Sequence, residues 1–224
     1  MTLEAPELLA PDEGSHREIS EVLSEQIKTL MEENVESVLV VGLGNREVTP
    51  DALGPEVLGN LYMTRHILRE YGSYAFSGKK IASISGIVPG VMAQTGMESL
   101  EIIKGIIHET KPQLVIAIDA LAARSVKRLG RTIQLADTGI NPGSGIGNHR
   151  KGLNKESLGV PVIGLGVPTV VDAFTIVYDV CQDVENIPGS LSGMFVTPKN
   201  IDETVKNLSY TISEALNMTF ELNF

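Results

Sequence analysis

Two aspartates stand where strands of an α/β sheet are expected to end. Asp119 closes the buried apolar run LVIAID (Leu114–Asp119), where a carboxylate is costly unless it is used or paired. Asp51 follows the strand candidate SVLVVGL (Ser37–Leu43), in the segment GLGNREVTPDALGPE. When two carboxylates lie close together, their repulsion raises the pKa of one, so the pair holds a single shared proton. The ionised member can then activate water while the protonated member donates to the leaving group, which is the chemistry of hydrolysis.

The same side chains have other interpretations. Asp51 precedes a predicted helix and fits an N-cap or first-turn residue. Asp172 fits a capping box, Thr169-x-x-Asp172, and is interpreted as structural. Asp51, Asp119 and His149 together form a plausible oxygen and nitrogen ligand set, so a metal site is the alternative to an aspartate dyad. No cofactor is predicted, since neither GLGN nor GLG completes a dinucleotide-binding motif.

Four further residues are candidates for orienting a substrate. Asn45 lies in the GLGN segment, and Asp137 follows a short strand candidate. Ser144 and His149 lie in the segment DTGINPGSGIGNHRKGLNK (Asp137–Lys155), a long irregular stretch rich in glycine and asparagine. Long loops of this kind inside a compact domain are more often functional than accidental.

These residues require a sheet to position them, and the sequence alternates apolar strand candidates with helical patterns. The strand candidates are Ser37–Leu43, Lys80–Ser85, Leu114–Asp119, Thr132–Leu135 and Val160–Leu165. The helix candidates are Ile19–Glu32, Leu53–Glu70, Met97–Glu109, Val170–Asp183 and Asp202–Leu216. This alternation predicts one α/β domain over residues 1–224, with a mostly parallel sheet covered by helices on both faces. Because the ends of parallel strands meet at one edge, Asp51 and Asp119 are expected to face one cleft.

Composition excludes several classes of function. The net charge of −10 argues against non-specific nucleic-acid binding, and an aromatic content of 4% argues against a base-stacking surface. No apolar stretch is long enough to cross a bilayer, so no membrane association is expected. The single cysteine, Cys181, excludes an internal disulfide, which favours a reducing cytoplasm.

Five longer motifs resemble the germination protease family of spore-forming bacteria. They occur in the family's order over roughly residues 37–175, and are VVGLGNREVTPDALGP, PGVMAQTG, VIAIDALAARS, DTGINPGSGIGNHRK and VPVIGLGVPTVVDA. The resemblance implies an endopeptidase of the spore core that degrades small acid-soluble spore proteins during germination. It also implies an atypical aspartic mechanism, whose two aspartates correspond to Asp51 in TPDALGP and Asp119 in AIDALAARS.

The resemblance further implies a three-layer α/β/α fold similar to hydrogenase-maturation peptidases, a zymogen that processes its own N-terminus, and a tetramer. Here the chain opens at Met1 and stops at Phe224, shorter at both ends than the family pattern, so it is expected to be a core lacking the propeptide. Two other functions remain open. One is a metal-dependent peptidase of the hydrogenase-maturation type that uses the same aspartates, and the other is a catalytically silent domain that binds spore protein.

Overall fold

A seven-stranded sheet forms the centre of the fold in the computed structural model, which describes residues 1–9, 13–143, 151–181, 191 and 193–222. The strands are β1 (Thr2–Glu4), β2 (Ser37–Gly42), β3 (Ser83–Ile87), β4 (Leu114–Ala123), β5 (Thr132–Ala136), β6 (Val162–Asp172) and β7 (Phe195–Val196). The α-helices are α1 (Glu13–Leu30), α2 (Leu53–Asn60), α3 (Arg65–Tyr71), α4 (Met92–Thr95), α5 (Ser99–Thr110), α6 (Lys155–Leu158), α7 (Ala173–Cys181) and α8 (Ile201–Thr219). Within these described segments, no helix combines the length and the apolar character needed to span a bilayer.

The strand order creates a crevice between β2 and β4. The order is β1-β5-β6-β4-β2-β3, with β7 on β6. Strands β3, β2, β4 and β6 are mutually parallel, whereas β5, β1 and β7 are added through antiparallel pairs. From β2 the chain continues to β3 on one side, and from β4 it continues to β5 and β6 on the other side. Open α/β sheets bind their ligands at such a switch point, beyond the carboxyl ends of the two strands.

Strand β2 shows how the two faces of the sheet are filled. Its side chains alternate between the faces, as the period of a β-strand requires. Val38 and Val40 belong to a core packed against helices α1, α2 and α8, whereas Leu39 and Val41 belong to a second core against α5 and α6. Strand β4 alternates in the same way. Each fully buried side chain of this size contributes about 1.5–3 kcal/mol, so both faces stabilise the sheet. The predicted three-layer α/β/α fold is confirmed.

The single helix predicted for Leu53–Glu70 is wrong, because the structure divides it into α2 and α3. Thr64 lies between the two helices and is 1% exposed. Its hydroxyl donates to the carbonyl of Ala82 at 2.5 Å and accepts from the backbone N–H of Ile84 at 2.8 Å. The break is therefore fixed by contacts with the start of β3, which helical periodicity does not report.

The helix predicted for Val170–Asp183 begins later, at Ala173, because β6 continues through Asp172 in register with β4 and β7. The predicted capping box is wrong for the same reason, since Thr169 is a strand residue. Asp172 still has a structural contact, and its carboxylate accepts a hydrogen bond from the N–H of Phe174 at 2.8 Å.

Candidate active site

Asp51 and Asp119 line one cavity at the switch point between β2 and β4. The cavity has a volume of about 330 Å³, at the small end of the range for ligand sites. Asp119 is 4% exposed and Asp51 is half-buried. They are the two charged side chains among the described residues of its wall, which is otherwise mostly apolar. A cavity of this composition places two carboxyl groups in a mostly apolar wall.

A short turn after β2 presents Asp51. The segment Thr49–Asp51 forms a 3₁₀ turn whose proline suits the first positions of a helix. The Asp51 carboxylate accepts from the backbone N–H of Asn45 at 2.7 Å. Helix α2, which begins two residues later, has no side-chain cap. The N-cap interpretation of Asp51 is therefore wrong: the N–H that its carboxylate accepts belongs to the preceding turn.

Glycines allow this turn to lie against the strand ends. Gly44 has φ +111°, a conformation that favours glycine, and a Cβ atom there would lie 1.9 Å from the carbonyl oxygen of Asp51. At Gly54 a Cβ atom would lie 2.4 Å from the carbonyl oxygen of Leu43 and 2.7 Å from that of Ile118. Both close approaches are available only to glycine, so these two residues set the position of Asp51 relative to β4.

Asp119 lies on β4 just beyond the end of β2. The last pair between the two strands joins Gly42 to Ile118, and Leu43 adds one N–H to the Ile118 carbonyl at 2.8 Å. On its other side, Asp119 is opposite Gly166 of β6. A carboxylate here is buried, and it lines the cavity. The topology therefore accounts for both the burial of Asp119 and its access to the cavity.

A β-bulge joins β6 to the Asp51 turn. Leu121 is opposite Pro168 and Ala122 is opposite Val170, which leaves Thr169 as the extra residue on β6. The Thr169 hydroxyl donates to the carbonyl of Pro50 at 2.6 Å, and the Thr169 carbonyl accepts from the Thr197 hydroxyl at 2.8 Å. Thr169 is 1% exposed, so these hydrogen bonds form away from solvent. The bulge thus holds the residue next to Asp51.

The other residues predicted to orient a substrate divide into three groups. Asn45 contacts Asp51 through its backbone, while its side-chain carbonyl accepts from Glu47 and Gln94 at 3.1 and 3.2 Å. Asp137 is exposed and lines a different cavity, at the opposite edge of the sheet, because β5 is antiparallel to β6. The structure therefore does not bring it to the Asp51 cavity. Ser144 and His149 lie outside the described residues.

A metal site at the cavity would need more ligands than the two aspartates. Across the described part of the chain, no group of three or more His, Cys, Asp and Glu side chains is placed to hold a metal ion. Asp51 and Asp119 offer the hard oxygen ligands that Mg²⁺, Mn²⁺ or Zn²⁺ accept, and His149 was the proposed third ligand. His149 lies outside the described residues.

Sequence reasoning missed two threonines and part of a loop at this site. The sequence pattern places Thr169 at an N-cap, and it does not single out Thr197. Asn141 lines the cavity at the start of the glycine-rich segment. One signal was available for Thr169: it is a polar residue inside the apolar run VIGLGVPTVV, and a proline precedes it. Proline inside a strand marks an edge or a bulge.

Comparisons with known proteins identify a family for this sequence. The family model described as "Germination protease" matches residues 1–192. A germination protease of Caldanaerobacter subterraneus subsp. tengcongensis is 43% identical, covering 99% of this chain and 78% of that protein. One from Clostridium perfringens strain 13 is 40% identical over all of this chain and 78% of that protein. One from Bacillus subtilis strain 168 is 50% identical over 80% of this chain and 49% of that protein.

Among solved structures, a [NiFe] hydrogenase maturation protease, HycI, from Thermococcus kodakarensis aligns with 88% of this chain and 99% of its own. The identity is 21% and the TM-score is 0.45. The family assignment rests on the sequence comparisons, which extend over the turn that carries Asp51 and over β4, which carries Asp119. Taken with the family model, they establish that this chain belongs to the germination protease family, and that it is a peptidase by descent.

Proposed function

We propose that this chain is an endopeptidase that cleaves small acid-soluble spore proteins in the spore core, through water activated by Asp51 and Asp119. The observation that carries the proposal is the shared cavity, which two carboxylates from separate elements line at the switch point of the sheet. Membership of the germination protease family makes a polypeptide the expected substrate.

The mechanism follows from the chemistry of paired carboxylates. One aspartate, ionised, takes a proton from a water molecule as that water attacks the scissile carbonyl carbon. The other, protonated, donates its proton to the carbonyl oxygen as the tetrahedral intermediate forms. When the intermediate collapses, this aspartate takes that proton back, and the first aspartate gives the proton removed from water to the departing amine. Peptide hydrolysis therefore needs no covalent acyl intermediate. The apolar wall strengthens both interactions because it lowers the local dielectric. The two aspartates titrate as a pair, so kcat/KM should fall on both sides of an optimum pH.

The test is cleavage of a purified small acid-soluble spore protein by the unaltered chain and by three single variants. Asp51→Asn and Asp119→Asn keep the size of each side chain and remove its charge. Each should lower kcat/KM by about 10²–10⁴-fold, the range for loss of an acid or base catalyst. Asp137→Asn is the matched control because Asp137 lines the cavity at the opposite edge, and it should cleave at the unaltered rate.

A chelator and a binding measurement separate the alternatives. Cleavage that persists in excess chelator and is lost in both aspartate variants supports the dyad. Cleavage lost on chelation and restored by added Zn²⁺ or Mn²⁺ makes the two aspartates metal ligands instead. Binding of the spore protein with no cleavage by the unaltered chain would indicate the catalytically silent domain.

A further inference from the structure

The carboxyl-terminal part of β4 has one edge with no strand on it. Strand β2 accompanies β4 only as far as Ile118, whereas β6 accompanies it to Ala123. Residues 119–123 therefore have a sheet neighbour on the β6 side alone, among the residues that the structure describes. At about 3.3 Å per residue this edge is roughly 16 Å long. It begins at Asp119, and Ala120, Leu121 and Ala122 also line the Asp51 cavity.

The backbone groups that face this edge can be assigned from the hydrogen bonds made by the earlier residues of β4. The Ile118 carbonyl accepts from Leu43, so Ile118 directs its backbone groups toward β2. The Val115 N–H donates to Pro161, so the odd-numbered residues direct theirs toward β6. Because successive strand residues alternate, Ala120 and Ala122 present their N–H and C=O groups to the edge without a strand. The bulge leaves this alternation intact because its extra residue belongs to β6.

We propose that the substrate binds as an additional β-strand along Ala120–Ala122 of β4. This proposal rests on the proposed function, and it commits to an extended polypeptide because the chain belongs to a peptidase family. Open strand edges take up extended peptides through main-chain hydrogen bonds, while neighbouring pockets select side chains. A strand here occupies the position that β2 vacates, begins beside Asp119, and borders the cavity that Asp51 and Asp119 line.

The walls of the cavity define which side chains the added strand carries. The cavity that Ala120 and Ala122 line has the apolar side chains of Leu43, Val48, Leu121, Val170 and Phe195 in its wall. Val48 and Phe195 are 47% and 39% exposed, so they form the rim. Since successive side chains of a strand point in opposite directions, one alternate set of substrate side chains meets this apolar wall. We expect cleavage next to an apolar residue, with the scissile peptide held by backbone contacts that do not depend on sequence.

The experiment uses a peptide of about ten residues spanning a cleavage site, mapped by mass spectrometry on the products from the purified spore protein. Each N–H near the scissile bond is replaced in turn by N-methyl, and kcat/KM is measured with the unaltered chain. N-methylation at positions that face β4 should lower kcat/KM by about tenfold or more, because a hydrogen bond is lost and the methyl group prevents close approach. The intervening positions should change it by less than about threefold.

A second measurement alters the enzyme. Ala122→Pro removes the N–H that faces the edge, while Ala122→Ser keeps it at nearly the same size. Thermal unfolding first establishes that both variants are folded. The proline variant should then have a higher KM for the parent peptide, and the serine variant should have the same KM as the unaltered chain. If the proline variant does not fold, the N-methyl series decides alone, since it leaves the protein unchanged.

The outcomes separate this inference from the function on which it rests. A loss of cleavage that recurs at every second N-methyl position supports the added strand. Equal losses at neighbouring positions, or losses that follow only side-chain changes, overturn it while leaving the peptidase assignment and the aspartate mechanism in place. If the spore protein is not cleaved at all, and no site can be mapped, the proposed function is wrong and so is the inference that the substrate binds as an added strand.

Discussion

Replacing Gly44 by alanine should displace Asp51 while leaving both aspartates in the sequence. Gly44 has φ +111°, and an added Cβ atom would lie 1.9 Å from the carbonyl oxygen of Asp51. Ordinary Cβ contacts begin at 3.4 Å, so the two segments must separate by about 1.5 Å. Part of that movement carries the Asp51 carboxylate away from the Asn45 N–H, to which it is bonded at 2.7 Å.

Two effects of different size follow from this substitution. An alanine held at this φ costs about 1–3 kcal/mol, which lowers the free energy of unfolding. A displacement of about 1 Å in a catalytic group costs roughly a hundredfold in rate. We therefore expect Gly44→Ala to lower kcat/KM on the spore protein by about a hundredfold or more, in a protein that still folds at assay temperature.

The control is Gly105→Ala in α5, where the structure places no atom within 4 Å of the added Cβ. Alanine there should stabilise the helix by up to about 1 kcal/mol and leave cleavage unchanged. Both variants are compared by steady-state cleavage and by thermal unfolding. If Gly44→Ala keeps kcat/KM within threefold of the unaltered chain, close packing at Gly44 does not position Asp51 for catalysis.

Three further variants test other contacts. Thr169→Val removes the hydroxyl that is hydrogen-bonded to the Pro50 carbonyl, so kcat should fall about tenfold. Thr169→Ser keeps a hydroxyl and should keep the kcat of the unaltered chain. Equal kcat in the two variants would show that the bulge does not act through this hydrogen bond. Phe195→Ala removes part of the apolar rim, and KM should rise about fivefold with little change in kcat, as steady-state kinetics would report. Thr64→Val leaves the Ile84 N–H without its side-chain acceptor and should lower the free energy of unfolding by about 1–3 kcal/mol in denaturant titration, with kcat unchanged.

The sequence predicted the layers of this fold well because they depend on local patterns. The run SVLVVGL has no polar residue after Ser37, and the structure buries its alternate side chains in two cores, as expected for a parallel strand between helices. The run LVIAID likewise predicted a buried strand with a carboxylate near its end. Placing Asp51 and Asp119 at one edge needed only the parallel arrangement of β2 and β4, which alternation with helices favours.

The errors arise where contacts distant in sequence decide the local structure. Thr64 ends a helical pattern because its hydroxyl bonds to the start of β3. Thr169 fits a capping box by spacing, yet pairing of β6 with β4 keeps it in a strand. Asp137 follows a correctly predicted strand, but that strand runs antiparallel to β6. The direction of a strand in its sheet cannot be read from a short apolar sequence. In each case the local sequence preference contributes less free energy than the tertiary hydrogen bonds that favour the observed structure.

The unequal lengths of β2 and β4 connect these observations. Had β2 continued beyond Gly42, it would have covered Asp119 and paired with Ala120 and Ala122, and no cavity would exist between the strands. Instead the chain leaves the sheet at Gly42, turns at Gly44, and returns as α2 with Gly54 against the Ile118 carbonyl. Because the chain leaves the sheet at Gly42, a cavity forms beside β4, Asp51 lies in the wall of that cavity, and the edge of β4 has no strand on it in the described part of the chain. A single topological feature therefore supplies both carboxylates and the backbone groups proposed to hold their substrate.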